Sequence, residues 1–243
     1  MNKPENYTVM IKTVYHYFQD FVALFFPDLC AGCQSSLVKH ETALCIQCIY
    51  HLPRTNFHLD PQNPIARTFW GRFPFTYAGA FTFFQKGNKV QHIMHQLKYN
   101  SNTASGFKMG ELYGYELTRT NQWQNLDLII PIPLHPKKLR QRGYNQSLYI
   151  AQGLASVLDI PVSVTALERK RHTSTQTKKS RYDRYENLKD AFEIKNSCEV
   201  VGKHILLIDD VITTGATLEA CATTLLKLES VQISVASIGY VQG

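Results

Sequence analysis

The run of residues 205–218, ILLIDDVITTGATL, constrains the fold of this chain more than any other stretch. It begins with four apolar residues, Ile205–Ile208, and continues directly into Asp209 and Asp210. A short leucine-rich and β-branched run bounded by turn residues is typical of a buried strand in a parallel sheet. Thr213–Thr217 then lead into a segment with helical apolar spacing, and a helix N-terminus presents free N–H groups to anions. The stretch therefore predicts an α/β fold in which strand, acidic pair, tight turn and helix follow one another.

An acidic pair beside an anion site indicates a ligand that carries a phosphate and also groups that carboxylates bind. A sugar phosphate has these features, with the phosphate on the turn and ribose hydroxyls or a hydrated Mg²⁺ on the acids. An apolar strand ending in two aspartates also occurs in ATPases, but the chain contains no G-x-x-x-x-G-K-[ST] motif to accompany it. An ordinary strand, turn and helix with a chance acidic pair is the remaining alternative.

Four cysteines near the N-terminus form two C-x-x-C motifs separated by eleven residues: Cys30, Cys33, Cys45 and Cys48. This pairing brings four thiolates to one tetrahedral point and predicts a structural zinc site. Disulfides or redox chemistry are the alternatives, and they are less favoured because the chain shows no sign of export. Zinc binding in such peptides is worth roughly 10–16 kcal/mol, so the metal is expected to fold this small module and not to catalyse a reaction.

Residues 9–26 are apolar and aromatic at helical spacing, which predicts an amphipathic helix. Polar residues interrupt the run, so it does not reach the 18 or more apolar residues typical of a membrane span. It also lacks a clean apolar segment followed by a small-residue cleavage site. We therefore predict a cytoplasmic protein, with attachment to a membrane surface as an open alternative.

The positive charge of the chain is concentrated in one region. The 243 residues carry a formal net charge of +7, and residues 137–184 alone hold eleven Lys or Arg and three acids, a local charge of +8. Four of these cations, Lys137, Lys138, Arg140 and Arg142, follow a predicted strand at 126–130 and its proline-rich end. Ligands collect beyond the carboxyl ends of parallel strands, so this loop and the Asp209 loop are expected to share a crevice. This positively charged region could bind a polyanionic small substrate or nucleic acid, or it could be a surface that contacts only solvent.

The chain resembles a known family through four motifs. These are the Cys₄ pattern, PIPLHPKKLRQRGYNQS at 131–147, RHTSTQTKKSRYDRYEN at 171–187 followed by AF, and IDDVITTGATL at 208–218. The last is similar to the signature of type I phosphoribosyltransferases, which bind phosphoribosyl pyrophosphate (PRPP). The combination resembles the competence-protein F (ComF) family, whose members have a zinc-ribbon-like module ahead of a phosphoribosyltransferase domain. Members are implicated in natural transformation, in handling incoming single-stranded DNA and in the use of DNA as a nutrient.

The resemblance implies a domain organisation and a fold. Residues 1–52 are expected to form the N-terminal helix and Cys₄ module, residues 53–74 a linker or irregular wrap, and residues 75–243 the phosphoribosyltransferase-like domain. The fold is expected to be a type I phosphoribosyltransferase-like parallel sheet flanked by helices. The long polar stretch at 168–189 is expected to act as a lid over the site.

The resemblance also implies roles for individual residues. The acids are expected to contact ribose hydroxyls and Mg²⁺, the turn to hold the 5-phosphate, and the cations to neutralise departing pyrophosphate. The predicted catalytic residues are Asp209, Asp210, Arg140 and Arg142; the predicted PRPP-binding residues are Asp209, Asp210, Thr213, Thr214, Gly215, Ala216, Thr217, Lys137 and Lys138. The resemblance implies a PRPP-binding ComF-type protein of natural competence, with single-stranded DNA and competence or DNA-processing proteins as partners. The alternative is an active phosphoribosyltransferase of nucleotide salvage or biosynthesis with no DNA role. No motif identifies the acceptor nucleophile.

Overall fold

The computed structural model describes residues 22, 25–170 and 191–242. Its strands, numbered in chain order, are β1 Ala78–Phe83, β2 Leu128–Pro131, β3 Leu167–Arg169, β4 Phe192–Ile194, β5 His204–Ile212 and β6 Gln232–Tyr240. Four of them form a parallel sheet in the order β1-β6-β5-β2, and β3 pairs with β4 in a separate antiparallel hairpin. Residues 160–165 contribute one parallel bridge beside β2, between Val162 and Ile129.

Seven α-helices lie among the described residues: α1 Ile46–Tyr50, α2 Pro64–Phe69, α3 Lys89–Tyr99, α4 Thr103–Leu117, α5 Pro136–Arg142, α6 Gln146–Leu158 and α7 Ala216–Leu225. None of the helices in the described ranges combines the length and the apolar character needed to cross a bilayer. Most of the predicted amphipathic helix at 9–26 and most of the predicted lid at 168–189 lie outside the described residues.

The central strand β5 is buried on both faces, as its continuous apolar run predicts. Ile205 and Leu207 belong to one core, with side chains of α2, α7 and the β3–β4 hairpin. Leu206 and Ile208 belong to the other, with side chains of α3, α4 and α6. Because a strand directs successive side chains to opposite faces, this run supplies both cores at once.

Helices α4 and α6 pack closely enough to require glycine at their contact. A Cβ on Gly110 would lie 2.1 Å from the Ile150 carbonyl oxygen, and one on Gly153 would lie 2.0 Å from the Phe107 carbonyl oxygen. Any larger residue at either position forces the helices apart. This contact fixes α6, whose first turn faces the acidic pair.

Residues 53–74, predicted to be a linker or irregular wrap, contain defined structure. Arg54 forms an antiparallel bridge with Thr82 of β1, and Asn63 caps α2 by accepting from the N–H groups of Ile65 and Ala66. Phe69, in the last turn of α2, is fully buried in the core beneath α7. The many prolines conceal these elements, because Pro64 stands at the first position of α2, where proline is favoured. The division at residues 52 and 74 stays a prediction.

Candidate functional site

The acidic pair lies inside β5 and does not follow its end. The sequence predicts a strand that stops at Ile208, whereas β5 continues to Ile212. The extension forms because β6 is equally long and pairs Asp209 with Ser237 and Ile212 with Tyr240. Both acids are therefore held by the hydrogen-bonded sheet.

Asp210 is buried and has two side-chain donors on one oxygen. Its Oδ2 lies 2.8 Å from the Lys98 Nζ and accepts a 2.8 Å hydrogen bond from the Gln146 Nε2. Gln146 in turn accepts from Arg142, whose guanidinium lies 5.7 Å from the centre of the Tyr99 ring. Helices α3 and α6 thus meet over the acidic pair through a connected set of charged and polar groups.

Asp209 is surrounded differently, and its pKa is raised to about 7. Burial is the main cause and the charge of Asp210 adds to it, while the backbone N–H of Asp210, the charge of Lys98 and the Ser147 hydroxyl act in the opposite direction. The Oδ1 atom accepts from the Asp210 N–H at 2.8 Å and from the Ser147 Oγ at 3.3 Å. A carboxyl group poised near neutral pH responds strongly to a cation placed next to it.

The turn after β5 is held from below by α2. Gly215 has a φ of +74° and is the N-cap residue of α7, and a Cβ at this position would lie 2.5 Å from the Phe69 Cε1. Arg72, just beyond α2, donates to the Thr214 carbonyl at 3.0 Å and pairs with Glu219 at 3.3 Å. The turn is therefore fixed by packing and by hydrogen bonds before any ligand binds.

A small cavity of about 40 Å³ opens at this turn, and its lining includes Asp209. The other lining residues are Val211, Ile212, Thr213, Thr214, Gly215, Ala216, Thr217 and Leu218. The structure brings the predicted turn residues and one of the predicted acids to one concave place at the N-terminus of α7. Free N–H groups and the helix dipole both favour an anion there.

The predicted cations are placed less uniformly. Arg142 reaches the acidic pair indirectly, through Gln146. Lys137, Lys138 and Arg140 are exposed on α5, a helix with no buried side chain. Among the described residues, no ion pair joins any of these three to Asp209 or Asp210. Their predicted contact with pyrophosphate stays a prediction.

Sequence reasoning did not identify Lys98, Gln146 or Ser147 as site residues. Gln146 and Ser147 stand in the quoted PIPLHPKKLRQRGYNQS motif, at the start of α6, so a signal for them existed. Lys98 has no such signal, since it is one lysine near the end of an amphipathic helix. Only the packing of α3 against the sheet brings its ammonium group to Asp210.

Arg169 is a further cation near the site, and it lies within the range 168–189 that is predicted to be a lid. Its guanidinium lies 5.4 Å from the centre of the Phe192 ring across the β3–β4 hairpin. Burial lowers its pKa, and Cys221 and Asp209 oppose that shift, which places the charge within electrostatic range of the acidic pair.

The four N-terminal cysteines converge as the spacing predicts. Their sulfur atoms all lie within 4.8 Å of one another, and this group could hold a metal ion. The Cys33 and Cys45 sulfurs are 3.7 Å apart, and the backbone N–H groups of Gly32, Cys45 and Cys48 point at cluster sulfurs. Three of the four cysteines are buried in the same core as α3.

Comparisons with known proteins agree with this geometry. Residues 145–240 match a family model described as the phosphoribosyl transferase domain, a range that contains α6, β5, the turn and α7. Competence protein F of Haemophilus influenzae is 42% identical over 118 residues, which are 48% of this chain and 52% of that protein. DNA utilization protein YhgH of Shigella flexneri is 31% identical over 210 residues, which are 85% of this chain and 88% of that protein. The chain belongs to the ComF family.

Membership of the ComF family fits both parts of the molecule. The predicted fold class, a type I phosphoribosyltransferase sheet with flanking helices and a small Cys₄ module, is confirmed. The Haemophilus match spans about half of that ComF relative's length. Among solved structures, a purine phosphoribosyltransferase from Pyrococcus horikoshii Ot3 is similar over 56% of this chain and 73% of its own, with 20% identity and a TM-score of 0.37.

Proposed function

We propose that this chain binds PRPP, with the 5-phosphate on the turn at 213–217 and the ribose on Asp209 and Asp210. The observation that carries the proposal is the small cavity at the N-terminus of α7, which is lined by the turn residues together with Asp209. Only one methylene group separates the 5-phosphate from the ribose ring, so their binding groups must lie close together, as Asp209 and the turn residues do in this cavity.

Among the described residues, each acid keeps one carboxylate oxygen without a donor, and this oxygen is available for such a ligand. Asp209 uses Oδ1, and Asp210 uses Oδ2, for the hydrogen bonds and ion pair described above. No residue in the described ranges donates to Asp209 Oδ2 or Asp210 Oδ1. These two oxygens are the groups that would contact Mg²⁺ or ribose hydroxyls, and Mg²⁺ would supply charge neutralisation for the pyrophosphate when bound.

The turn alone is too weak to account for useful affinity. A helix N-terminus contributes at most about 2 kcal/mol to anion binding, whereas micromolar binding requires about 8 kcal/mol. The remainder must come from the acidic pair with its metal and from cations near it. Lys98 and Arg142 are already held at the site, whereas the exposed cations of α5 must be brought to the ligand.

We propose zinc as the metal of the four-cysteine cluster. Zinc–sulfur bonds of about 2.3 Å in a tetrahedron place neighbouring sulfurs about 3.8 Å apart, and the Cys33 and Cys45 sulfurs are 3.7 Å apart. The donor set and the N–H groups pointing at sulfur both suit a structural Cys₄ zinc site. Among the described residues, no acid or histidine belongs to this group of possible metal ligands.

For the wider role, we propose the handling of incoming single-stranded DNA together with competence or DNA-processing proteins. The names of the relatives, competence protein F and DNA utilization protein, support this role, as does the cation-rich, exposed face of α5. The alternative is an active phosphoribosyltransferase of nucleotide salvage or biosynthesis. It shares the PRPP site and differs in turning over an acceptor.

Calorimetry with the double variant Asp209→Asn with Asp210→Asn tests the PRPP proposal. The protein as purified, with its zinc, is titrated with PRPP in the presence of Mg²⁺. We expect the double variant to bind at least about 100-fold more weakly, because both metal- and ribose-binding carboxylates are gone. Unchanged binding contradicts the proposal.

An acceptor screen separates the two roles. Pyrophosphate release is followed with PRPP, Mg²⁺ and a panel of purines, pyrimidines and amines, with and without single-stranded DNA. Release that depends on one acceptor assigns a transferase, whereas binding without release favours PRPP as a regulatory ligand.

A further inference from the structure

A cavity of about 880 Å³ lies between α5, the start of α6 and the β3–β4 hairpin, apart from the small cavity at the turn. Its size falls within the roughly 300–1,000 Å³ typical of small-molecule pockets. The lining residues are Pro131, Pro133, Leu134, Pro136, Leu139, Gly143, Tyr144, Asn145, Leu148, Tyr149, Val164, Thr165, Leu167, Glu168, Arg169, Lys195 and Asn196. Acids of β5 are absent from this set, so the cavity is distinct from the proposed ribose site.

Part of the cavity wall is formed by aromatic and aliphatic side chains. Tyr144 and Tyr149 meet edge to face with ring centres 5.8 Å apart, and Val164 is 60% exposed although it is aliphatic. The Tyr144 hydroxyl donates to the Leu97 carbonyl, which anchors its ring. Rigid aromatic faces beside uncovered aliphatic groups suit a planar ligand that stacks.

The polar groups of the cavity lie along one side. Arg169 has no ion-pair partner among the residues the structure describes, and its guanidinium is supported by the Phe192 ring. Glu168 pairs with Lys195 at 3.4 Å, so their charges largely cancel. Arg169 is therefore the donor most able to reach a heterocycle or a phosphate in the cavity.

Helix α5 adds both apolar wall residues and nearby positive charge to the cavity. It contributes Pro136 and Leu139 to the wall, while Lys137, Lys138 and Arg140 are exposed on the same seven-residue helix. The helix has no buried side chain, and even the apolar side chain of Leu139 is 42% exposed. An apolar wall beside a cationic rim matches a ligand with an aromatic base and a backbone of phosphates.

We propose that this cavity binds a nucleobase of single-stranded nucleic acid, with the adjoining phosphates on the cations of α5. The base stacks against the tyrosine faces, and Arg169 contacts its polar edge. The cavity adjoins the proposed ribose site, because Pro131 in its wall pairs in register with Ile208, next to Asp209. The proposal rests on the proposed handling of single-stranded DNA and does not depend on PRPP binding.

Fluorescence anisotropy with two labelled oligonucleotides of equal length tests this proposal. One is oligothymidylate, and the other has the same phosphates but abasic sugars throughout. At about 50 mM salt we expect the abasic strand to bind about five-fold or more weakly, since base stacking contributes substantially to such complexes. Equal affinity for the two strands overturns the proposal, because it leaves only phosphate contacts.

Matched variants locate the effect. Val164→Glu places a carboxylate in the apolar wall, and Tyr149→Leu removes an aromatic face while keeping an apolar side chain. Val38→Glu makes the same change as the first at a valine of similar exposure, 66%, in the Cys₄ module. We expect the two cavity variants to lose the preference for bases and the control to keep it. A preference that survives in both cavity variants overturns the proposal.

Two further experiments distinguish a free nucleoside from a nucleic-acid strand, and the base pocket from the PRPP site. Free thymidine or adenosine is expected to bind much more weakly than the oligonucleotide, and equal affinity overturns the proposal, because the phosphates on α5 would then contribute nothing. PRPP binding to Val164→Glu is expected to be unchanged. Failure of the PRPP proposal is thus seen with the aspartate variants, and failure of the base pocket with the abasic strand.

Discussion

The Lys98 ammonium group lies 2.8 Å from Asp210 Oδ2, so α3 supplies a counter-ion to the acidic pair of β5. This ion pair is half enclosed: the side chain of Lys98 is 24% exposed and that of Asp210 is 9% exposed. The same lysine holds down the pKa of Asp209, which burial and the charge of Asp210 raise to about 7. The charge state of the proposed PRPP site therefore depends on a residue far away in the sequence.

Removal of this lysine is expected to shift the pH dependence of PRPP binding. With Mg²⁺ present, binding to the wild type should strengthen as the pH rises through about 7, because Asp209 then loses its proton. In Lys98→Met the midpoint should move up by about one pH unit, since an opposite charge has been removed. Calorimetry between pH 6 and 9 measures both midpoints.

Lys108→Met is the matched control for this prediction. Lys108 pairs with Glu111 at 2.6 Å on α4, and its side chain is 25% exposed, close to the value for Lys98. This variant should keep the wild-type midpoint. Equal midpoints in Lys98→Met and Lys108→Met would show that Lys98 does not set the charge of the acidic pair.

The raised pKa of Asp209 also predicts how stability varies with pH in the absence of PRPP and Mg²⁺. The folded-state pKa, about 7, exceeds the usual value of 3.8, so the folded protein holds the proton more tightly. This contribution to stability is fully present below pH 3.8 and is lost as the pH rises through about 7. The asparagine of Asp209→Asn does not titrate, so the variant does not lose stability in this way as the pH rises. At pH 8 it should be more stable than the wild type by on the order of 2–4 kcal/mol.

Urea unfolding of the zinc-loaded protein at pH 5 and pH 8 checks this prediction. Asp60→Asn removes a carboxylate from an exposed position and should show no such gain. A gain for Asp209→Asn that is the same at both pH values would argue against a titrating Asp209.

Gly215→Ala should damage the turn in two ways. A positive φ costs a non-glycine residue about 1–2 kcal/mol, and the new methyl group would lie 2.5 Å from the Phe69 Cε1. Overpacking adds a further cost of typically about 1–3 kcal/mol. We expect lower stability and weaker PRPP binding, measured by urea unfolding and calorimetry.

Gly202→Ala separates the two causes. Gly202 has a φ of +73°, and a Cβ there would meet nothing within 4 Å. This variant should show the backbone cost alone and bind PRPP normally. If Gly215→Ala behaves like Gly202→Ala in both measurements, Phe69 does not support the turn.

The Cys₄ cluster predicts one zinc ion per chain. Cys48→Ser should lose the metal and unfold at a lower temperature, because Cys48 is buried in the core that also contains Ile93 of α3. Cys198 is exposed and outside the cluster, so Cys198→Ser should keep both zinc content and melting temperature. Metal analysis and thermal unfolding measure these outcomes, and a full zinc content in Cys48→Ser contradicts the assignment.

The parts of the fold that the sequence predicts are those determined by residues close together in the chain. Residues 205–218 carry their strand, turn and helix within fourteen positions, and the cysteine spacing carries the metal cluster. Their local chemistry is sufficient because the interacting groups are close in the chain. The exact end of β5 was missed, since pairing with β6 and not local propensity extends it past the acids.

The parts that sequence reasoning missed depend on distant segments. Lys98 reaches Asp210 only after α3 packs on the sheet, and Phe69 reaches Gly215 only after α2 packs beneath α7. Short elements were also concealed by their composition. Helix α2 lies in a proline-rich stretch, and β3 is three residues long, with two of its residues charged.

Phosphorus NMR of bound PRPP tests the central claim most directly, because the 5-phosphate and the pyrophosphate give separate signals. With Mg²⁺ and the zinc-loaded wild type, we predict that the 5-phosphate signal shifts or broadens on binding and that ribose 5-phosphate competes for the site. A pyrophosphate signal that responds while the 5-phosphate signal remains that of free PRPP would contradict the account, since the turn at 213–217 would then hold no phosphate.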